Sequence, residues 1–540
     1  MRRIAGVVVL LAIVLPPTAA AVGPARSTST ASAPTDGNAS IAAVYPNPIA
    51  PGDAGEYVVL SVPPDTDLGD YRFGDDEGVT PLPNRTASGR VVLTSNRSQV
   101  PGSVSGPVVE CPSCPALANA GERLTLDGPA GRLDAVEYSD APEGDVLRPG
   151  EDRRWRPLGA TAFDPIVGES GTARVFTLPD SPEEPVDLLR GADRRIMLAG
   201  YTLTSERVTD ALVAAHDRGV AVDVLVDGGP VGGLTNRSAA ALDRLRAANV
   251  SVRLIGGHAA RYRFHHAKYA VVDDRAVVMT ENWKPAGVGG ASSRGWGTVV
   301  GSPAVVDGLA RMFRADFGGR DAIPWGRFRE NATFEDIPPT HGRYPDRLAP
   351  ETLPVDRVEL IAAPDNAAGR VGGLLANATD SIDIIQVSIG GRDDVLLGNA
   401  IDAARRGVDV EILLSNAWYV RDENHRLAVQ LRALAERENL PVRVRLADPG
   451  GRYEKIHAKG VVIDGDTAVV GSLNWNANAY HNNREVALVL HGEQVGAYFE
   501  RAFERDWRGG VTTVPVGLLV VAIVAIGLAG AIACRIDFEV

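Results

Sequence analysis

Apolar residues in residues 41–164 come in short runs, such as Tyr57-Val58-Val59-Leu60, Val91-Val92-Leu93 and Arg123-Leu124-Thr125-Leu126, separated by Gly, Pro, Asn and Asp. Runs of that length, bounded by turn pairs such as Gly69-Asp70 and Asp127-Gly128, predict strands, and a succession of them predicts an all-β sandwich. From residue 173 onward the pattern changes. Apolar strands now alternate with amphipathic stretches of helical period, which predicts α/β units around a mainly parallel sheet.

This α/β pattern occurs twice. A strand-helix-strand passage beginning at Ile196 and ending at Gly228 returns from Ile382 to Asn416. FHHAKYAVVDD, beginning at Phe264, parallels KIHAKGVVIDG, beginning at Lys455, and MFRADF at Met312 parallels AFERDW at Ala502. Equivalent positions stay about 190 residues apart, the signature of an internal repeat. We therefore divide the α/β part into repeats at 173–320 and 355–508, with a Pro-rich connector at 321–354.

The two ends carry different signals. Arg2 and Arg3, an apolar run through Leu15 and Ala19-Ala20-Ala21 predict a signal peptide over residues 1–21, followed by a linker rich in Ser, Thr, Ala and Pro at 22–40. Residues 514–534 carry no charge and are as long as a helix needs to cross a hydrocarbon core, so a C-terminal transmembrane helix is expected there. These two readings predict a protein of the cell membrane, held through that helix, with its catalytic part outside and a short cytoplasmic tail. Cys111 and Cys114 form a lone pair two residues apart; in an exported chain with no second ligand pair, a small disulfide loop is favoured over zinc.

The formal charge of -13 argues against a protein that coats nucleic acid nonspecifically, because that mode relies on cations displacing counterions from phosphates. It leaves room for a local basic cleft. The only lysines are Lys268, Lys284, Lys455 and Lys459, against 51 arginines.

Two of those lysines stand in the motifs that carry chemistry. His266-Ala267-Lys268 and His457-Ala458-Lys459 place an imidazole and an ammonium at i and i+2, which a strand points to the same side. Such a pair suits phosphate chemistry: the imidazole attacks phosphorus or carries a proton, while lysine and an asparagine amide stabilise the nonbridging oxygens. After His457-Ala458-Lys459, four residues lead to Asp464 and six more to Gly471-Ser472-Leu473-Asn474. This resembles the HxK(x)4D(x)6GSxN signature of the phospholipase D superfamily at every defined position. The first repeat resembles it less closely: Asp273 keeps its spacing, but Met279-Thr280 replace Gly-Ser and Asn282 sits one residue nearer its Asp.

The resemblance implies a pseudo-dimer in which the two repeats build one site. It implies hydrolysis of a phosphodiester, in phospholipid or nucleic acid, through a phosphohistidine, without a cofactor, a metal or an obligatory protein partner. Carried onto this chain, the site is His266, Lys268, Asn282, His457, Lys459, Ser472, Asn474 and Glu485, with Asp273 and Asp464 as structural turn acceptors. Glu485 follows His457 at the distance where the family places a carboxylate partner for the motif histidine. Its first-repeat equivalent is Gly295. On that basis His457 is expected to be the nucleophile and His266, lacking a carboxylate, the general acid. Trp283, Trp475 and Tyr480 are read as core before groove.

Three rivals stand beside this reading: a phosphatidyltransferase similar to cardiolipin synthases, a noncatalytic surface-binding protein, and a zinc enzyme using His265 and His266. The cardiolipin synthases commonly continue GSxN with Asp-x-Arg-Ser, whereas here WNANAYHNNREV follows from Trp475. Residues 41–164 resemble the lamin-tail domain, an immunoglobulin-like sandwich, in VYPNP at Val44, GEYVVL at Gly55, LANAGERLTL at Leu117 and GRLDAVEY at Gly131. That likeness implies a binding or spacing module without chemistry.

Overall fold

The computed structural model describes residues 38–509, apart from 103, 151–153, 258 and 339. The expected signal peptide at 1–21 lies outside the described residues.

The first 120 or so described residues fold as the short apolar runs dictate. A six-stranded sheet containing Ser40–Tyr45, Tyr57–Asp67 and Thr86–Thr94 packs on a four-stranded sheet containing Gly121–Gly128 and Gly131–Ser139. Val44, Leu60, Val91, Leu124 and Leu126 fill the space between them. Cys111 and Cys114 are joined by a disulfide, with Cys111 buried in the same core.

Beyond it lie two larger sheets that repeat one plan. In the first, seven strands run in the spatial order Ser251–Ile255, Ala221–Asp227, Arg195–Gly200, Tyr269–Val272, Arg275–Met279, Ser293–Val300 and Gly171–Leu178. The second sheet repeats that order with Val442–Leu446, Asp409–Leu414, Ser381–Gln386, Gly460–Ile463, Thr467–Gly471, Glu485–His491 and Arg357–Ala363. The expectation of a mainly parallel sheet needs correction. Only the first three strands of each set pair in parallel, each linked to the next through a helix; the strand after each HxK motif returns by a hairpin and pairs antiparallel. The Pro-rich stretch is tied into the first sheet at both ends, through Ala322–Pro324 and Glu351–Val355.

Helices cover the outer face of each sheet, and the inner faces share one core in which residues of both repeats meet, including Trp296, Phe313, Val470, Phe499 and Phe503. Two buried arginines cross between repeats in mirrored fashion. Arg294 of the first repeat pairs with Asp506 of the second at 2.8 Å, and Arg484 of the second pairs with Asp316 of the first at 3.0 Å. Each guanidinium also lies over a tyrosine ring, Tyr453 at 4.8 Å and Tyr262 at 4.7 Å. MFRADF and AFERDW, which close the two repeats in sequence, thus supply the acid of the opposite repeat's arginine.

The expected fold class is also corrected at its C-terminal end. Among the described residues no helix is long and apolar enough to cross a membrane. The last described helix, Glu493–Arg508, is amphipathic, buries Val495, Phe499 and Phe503, and carries Arg505 and Arg508 in its last turn. Residues 514–534, where a transmembrane helix was expected, lie outside the described residues.

Candidate active site

Each HxK motif enters a strand at the seam between the repeats, and the other repeat's backbone holds it there. The His266 amide donates to the Arg484 carbonyl and the His457 amide to the Arg294 carbonyl, both at 2.9 Å. Lys455 and Ile456 pair in parallel with Ser293 and Arg294, and His265 bridges to Arg484 in the same sense. Ala267 and Ala458 are fully buried, so histidine and lysine fall on the opposite side together. Each lysine donates to the carbonyl of its own motif's histidine, Lys459 at 2.7 Å, and Lys459 Nζ lies 3.2 Å from Nδ1 of His457. The Tyr201 ring packs against His266, with centroids 4.6 Å apart.

The structure reassigns Glu485. It pairs with His266 of the other repeat rather than with His457: both carboxylate oxygens lie 2.9 Å from Nδ1 of His266, and Asn483 donates to Oε1 at 3.0 Å. The reason is topological. Glu485 opens a strand whose preceding residue, Arg484, is hydrogen-bonded to the first repeat on either side of His265, so Glu485 faces the opposite histidine. His266, expected to be the less well oriented of the two, is therefore fully supported. Beside His457 stands Glu281, which the sequence reading passed over: Oε2 is 3.3 Å from Nδ1 of His457 and the side chain is wholly buried.

The departures of the first repeat have simple structural counterparts. Thr280 does what Ser472 does: its hydroxyl accepts the Trp296 amide at 3.0 Å, as Ser472 accepts that of Val486 at 3.0 Å. Asn282 is nearer its Asp because the hairpin turn is one residue shorter, Val272 pairing with Arg275 where Ile463 pairs with Thr467. Past the turn the register recovers, and Asn282 is buried with its Oδ1 unpaired among the described residues. Asn474 is half-buried.

Asp273 and Asp464 occupy those turns, at the other end of the strands, each with positive φ. Asp273 accepts the amides of Asp193, Arg194 and Arg195 at 2.8 to 2.9 Å, and Asp464 those of Thr379, Asp380 and Ser381 at 2.7 to 3.1 Å. Burial opposes both charges, but the backbone donors outweigh it and hold both carboxyls below the usual range. A depressed folded-state pKa contributes stability above the unfolded value, about 3.9, that is lost as pH falls through the folded one. Asp464→Asn should therefore destabilise the protein by about 1–3 kcal/mol, the worth of hydrogen bonds to a charged group. In thermal melts the gap to wild type should narrow on acidification; a gap independent of pH would refute the ionised role.

Trp283 and Trp475 are buried in the core, Trp283 donating to the Ala199 carbonyl at 2.9 Å, and Tyr480 donates to Asp394. His265 is buried with Nε2 3.4 Å from Asp316, held beneath the site by the Arg484 cluster. Exposed aromatics do occur, at Trp418 and Tyr419, where the Lys455 ammonium sits 5.6 Å from the Tyr419 ring. No periodic signal marks such loop residues.

Charge separates the two histidine pairs. Burial would raise Glu485, but His266 and Lys268 pull it below the usual carboxylate range, so it is ionised. Burial lowers His266 to about 4, against the pull of Glu485, and brings Lys459 down to about 7, against Glu281 and Glu485. His457 is pushed well below its ordinary value by burial and then by Lys459 and Lys284.

A family model described as "Cardiolipin synthase, PLD-like domain" matches residues 186–317 and again residues 373–507. Among curated proteins, one named probable phospholipase D, from Caenorhabditis elegans, is 30% identical over 121 residues, 20% of this chain and 22% of that protein. Mitochondrial cardiolipin hydrolases of Canis lupus familiaris and Homo sapiens are 38% and 37% identical over 52 and 60 residues, which are 10% and 11% of this chain and 20% and 22% of theirs. The chain thus spans about a fifth of the length of these relatives. Among solved structures, a phosphatidylserine synthase from Haemophilus influenzae overlaps 62% of this chain and 86% of its own, with TM-score 0.47 and 15% identity. Nuc of Salmonella typhimurium, a phospholipase D family member, overlaps 29% of this chain and 97% of its own, with TM-score 0.25 and 20% identity.

Proposed function

Since the two α/β repeats belong to the phospholipase D superfamily, we propose that this chain is a phosphodiesterase that hydrolyses phospholipid or nucleic acid through a phosphohistidine on His266. One observation carries the assignment: both oxygens of Glu485 lie 2.9 Å from Nδ1 of His266. An ionised carboxylate there keeps the proton on Nδ1, leaves the Nε2 lone pair for attack, and stabilises the positive ring of the phosphoenzyme. The earlier expectation, with His457 as nucleophile, depended on Glu485 being its partner and falls with that pairing.

Nε2 of His266 forms the N–P bond as the P–O bond to the leaving group breaks, and His457 gives the leaving oxygen its proton. His457 then takes a proton from water as the water oxygen displaces His266 from phosphorus. Lys268, Lys459, Asn282 and Asn474 are the groups that meet the nonbridging oxygens as charge develops on them. The trapping experiment uses a nitrophenyl phosphodiester, whose leaving group needs little acid. His457→Ala should accumulate phosphate on His266, found by peptide mass spectrometry, whereas phosphate on His457 in His266→Ala would reverse the roles.

The free enzyme's pH dependence follows from the same charges. kcat/KM should rise with pH through about 4 as His266 gives up its proton, then fall on the alkaline side as the acid His457, held well below its ordinary value, and then Lys459, through about 7, lose theirs. A profile flat from pH 5 to 9 would count against Lys459 as the phosphate-facing cation.

Phosphatidyl transfer, suggested by the description of the matching family model, differs in using an alcohol in place of water. Assays with added glycerol separate the two by product. We read the sandwich as a lamin-tail-like spacing or binding module, and the chain as exported. The Cys111–Cys114 disulfide supports export, since such bonds persist in oxidising compartments; alkylation of Cys111 and Cys114 themselves in protein trapped as cells are lysed would oppose it.

A further inference from the structure

We propose that Glu281 is the positioning residue for His457, a carboxylate that the first repeat delivers from a different strand than the second repeat does, and that glycine at 295 makes room for it. Strand register defines the exchange. Met279 pairs with Gly297 where Gly471 pairs with Ala487, so Gly295 corresponds to Glu485 and Glu281 to Leu473. The second repeat has a carboxylate at 485 and an apolar residue at 473. The first repeat has the reverse, a carboxylate at 281 and no side chain at 295.

Space confirms that the two changes belong together. A Cβ placed on Gly295 would lie 2.2 Å from Cγ and 2.8 Å from Oε1 of Glu281, well inside van der Waals contact. The Glu281 side chain therefore occupies the volume that a glutamate at 295 would use. Its carboxylate is wholly buried and finds no hydrogen-bond donor among the described residues, while Nδ1 of His457 lies 3.3 Å from Oε2. A buried carboxylate without partners is costly, and this one faces the histidine that Glu485 does not serve.

Charge around Glu281 fits the role. Burial raises its carboxyl to about 7 against the pull of Lys459, Lys284, Lys268 and Lys455, which are all the lysines of the chain. Glu281 itself thus gains or loses a proton near neutrality, beside a histidine that must both donate to a leaving oxygen and accept from water. Glu485, by contrast, stays ionised behind the nucleophile.

This inference rests on the phosphodiesterase reading, so its test includes a readout independent of turnover. In the full-length protein, Glu281→Gln keeps the shape and removes the charge. It should lower kcat by about 10²- to 10⁴-fold, the range of general acid-base contributions, with KM little changed. Glu281→Leu should lose as much, Gly295→Glu alone should be destabilised by the clash, and Glu281→Leu with Gly295→Glu, the second repeat's own arrangement, should recover at least about tenfold over Glu281→Leu. In histidine labelled with ¹⁵N, the ring nitrogens of His457, assigned by their loss in His457→Ala, should shift in Glu281→Gln while those of His266 stay put. Wild-type kcat together with unmoved His457 resonances in Glu281→Gln overturns the proposal, as does a folded double variant no better than Glu281→Leu. A wild-type protein inactive on every phosphodiester would defeat the functional reading alone, and the nitrogen shifts would still decide the role of Glu281.

Discussion

Replacing His266 or His457 with alanine should each reduce phosphodiester hydrolysis by at least about 10⁴-fold, and replacing both should cost little more, because groups that act as one unit lose their joint effect when either is removed. His266 supplies the bond to phosphorus, for which no neighbouring group substitutes: the nearby lysines are held at backbone carbonyls, Lys268 on His266 and Lys459 on His457. His457 supplies both proton transfers. The two single variants should nonetheless fail differently. With a nitrophenyl leaving group, His457→Ala keeps a first step that needs little acid and should show a burst of nitrophenol of one equivalent per site, then stall. His266→Ala should show no burst. Additive losses in the double variant would mean that the two histidines act independently rather than as one unit, and steady turnover in His266→Ala would mean that the first repeat is not catalytic.

How much of this was legible in the sequence depended on whether the information was local. HxK, with its two-residue period, fixes which side chains share a side, and the repeated strand and helix pattern reveals two equivalent sheets. The pairing of carboxylates with histidines is not local. Glu485 lies 28 positions after His457 and 219 after His266, yet serves His266, because the strand that it opens crosses to the other repeat before it pairs with its own. Gly295 looked like a loss since a missing side chain carries no sign of what replaces it; only register and the space above its Cα disclose Glu281. The same limit applied to Arg294 and Arg484. MFRADF and AFERDW were visible as a repeat, but the partners of their aspartates lie in the opposite half.

Those arginines give the largest expected effect on stability. Arg484 is fully buried and joins four segments: its Nε lies 3.0 Å from Asp316 of the first repeat, one terminal nitrogen lies 2.9 Å from Asp365 and 3.2 Å from the Ala363 carbonyl, and the other lies 2.9 Å from Thr161 and also meets the Tyr262 hydroxyl. A planar fork with five donors fits that arrangement, and lysine, a single point charge, does not. Arg484→Met keeps an apolar stem of similar length but leaves Asp316 and Asp365 buried without their shared cation. Breaking a buried pair on one side costs about 3–5 kcal/mol, because the remaining charge is neither solvated nor matched. Removing the orphaned charges as well, in Arg484→Met with Asp316→Asn and Asp365→Asn, should restore much of the loss, since a buried ion pair adds little over neutral neighbours. Activity should report the same junction. The Arg484 carbonyl accepts the His266 amide and its chain neighbour is Glu485, so the single variant should lose turnover at temperatures where it is still folded. Urea unfolding of the three proteins, followed alongside turnover, makes the comparison. A midpoint for Arg484→Met within error of wild type would show that the junction holds without its cation, and a triple variant no more stable than the single one would place the loss in packing around the guanidinium rather than in unpaired charge.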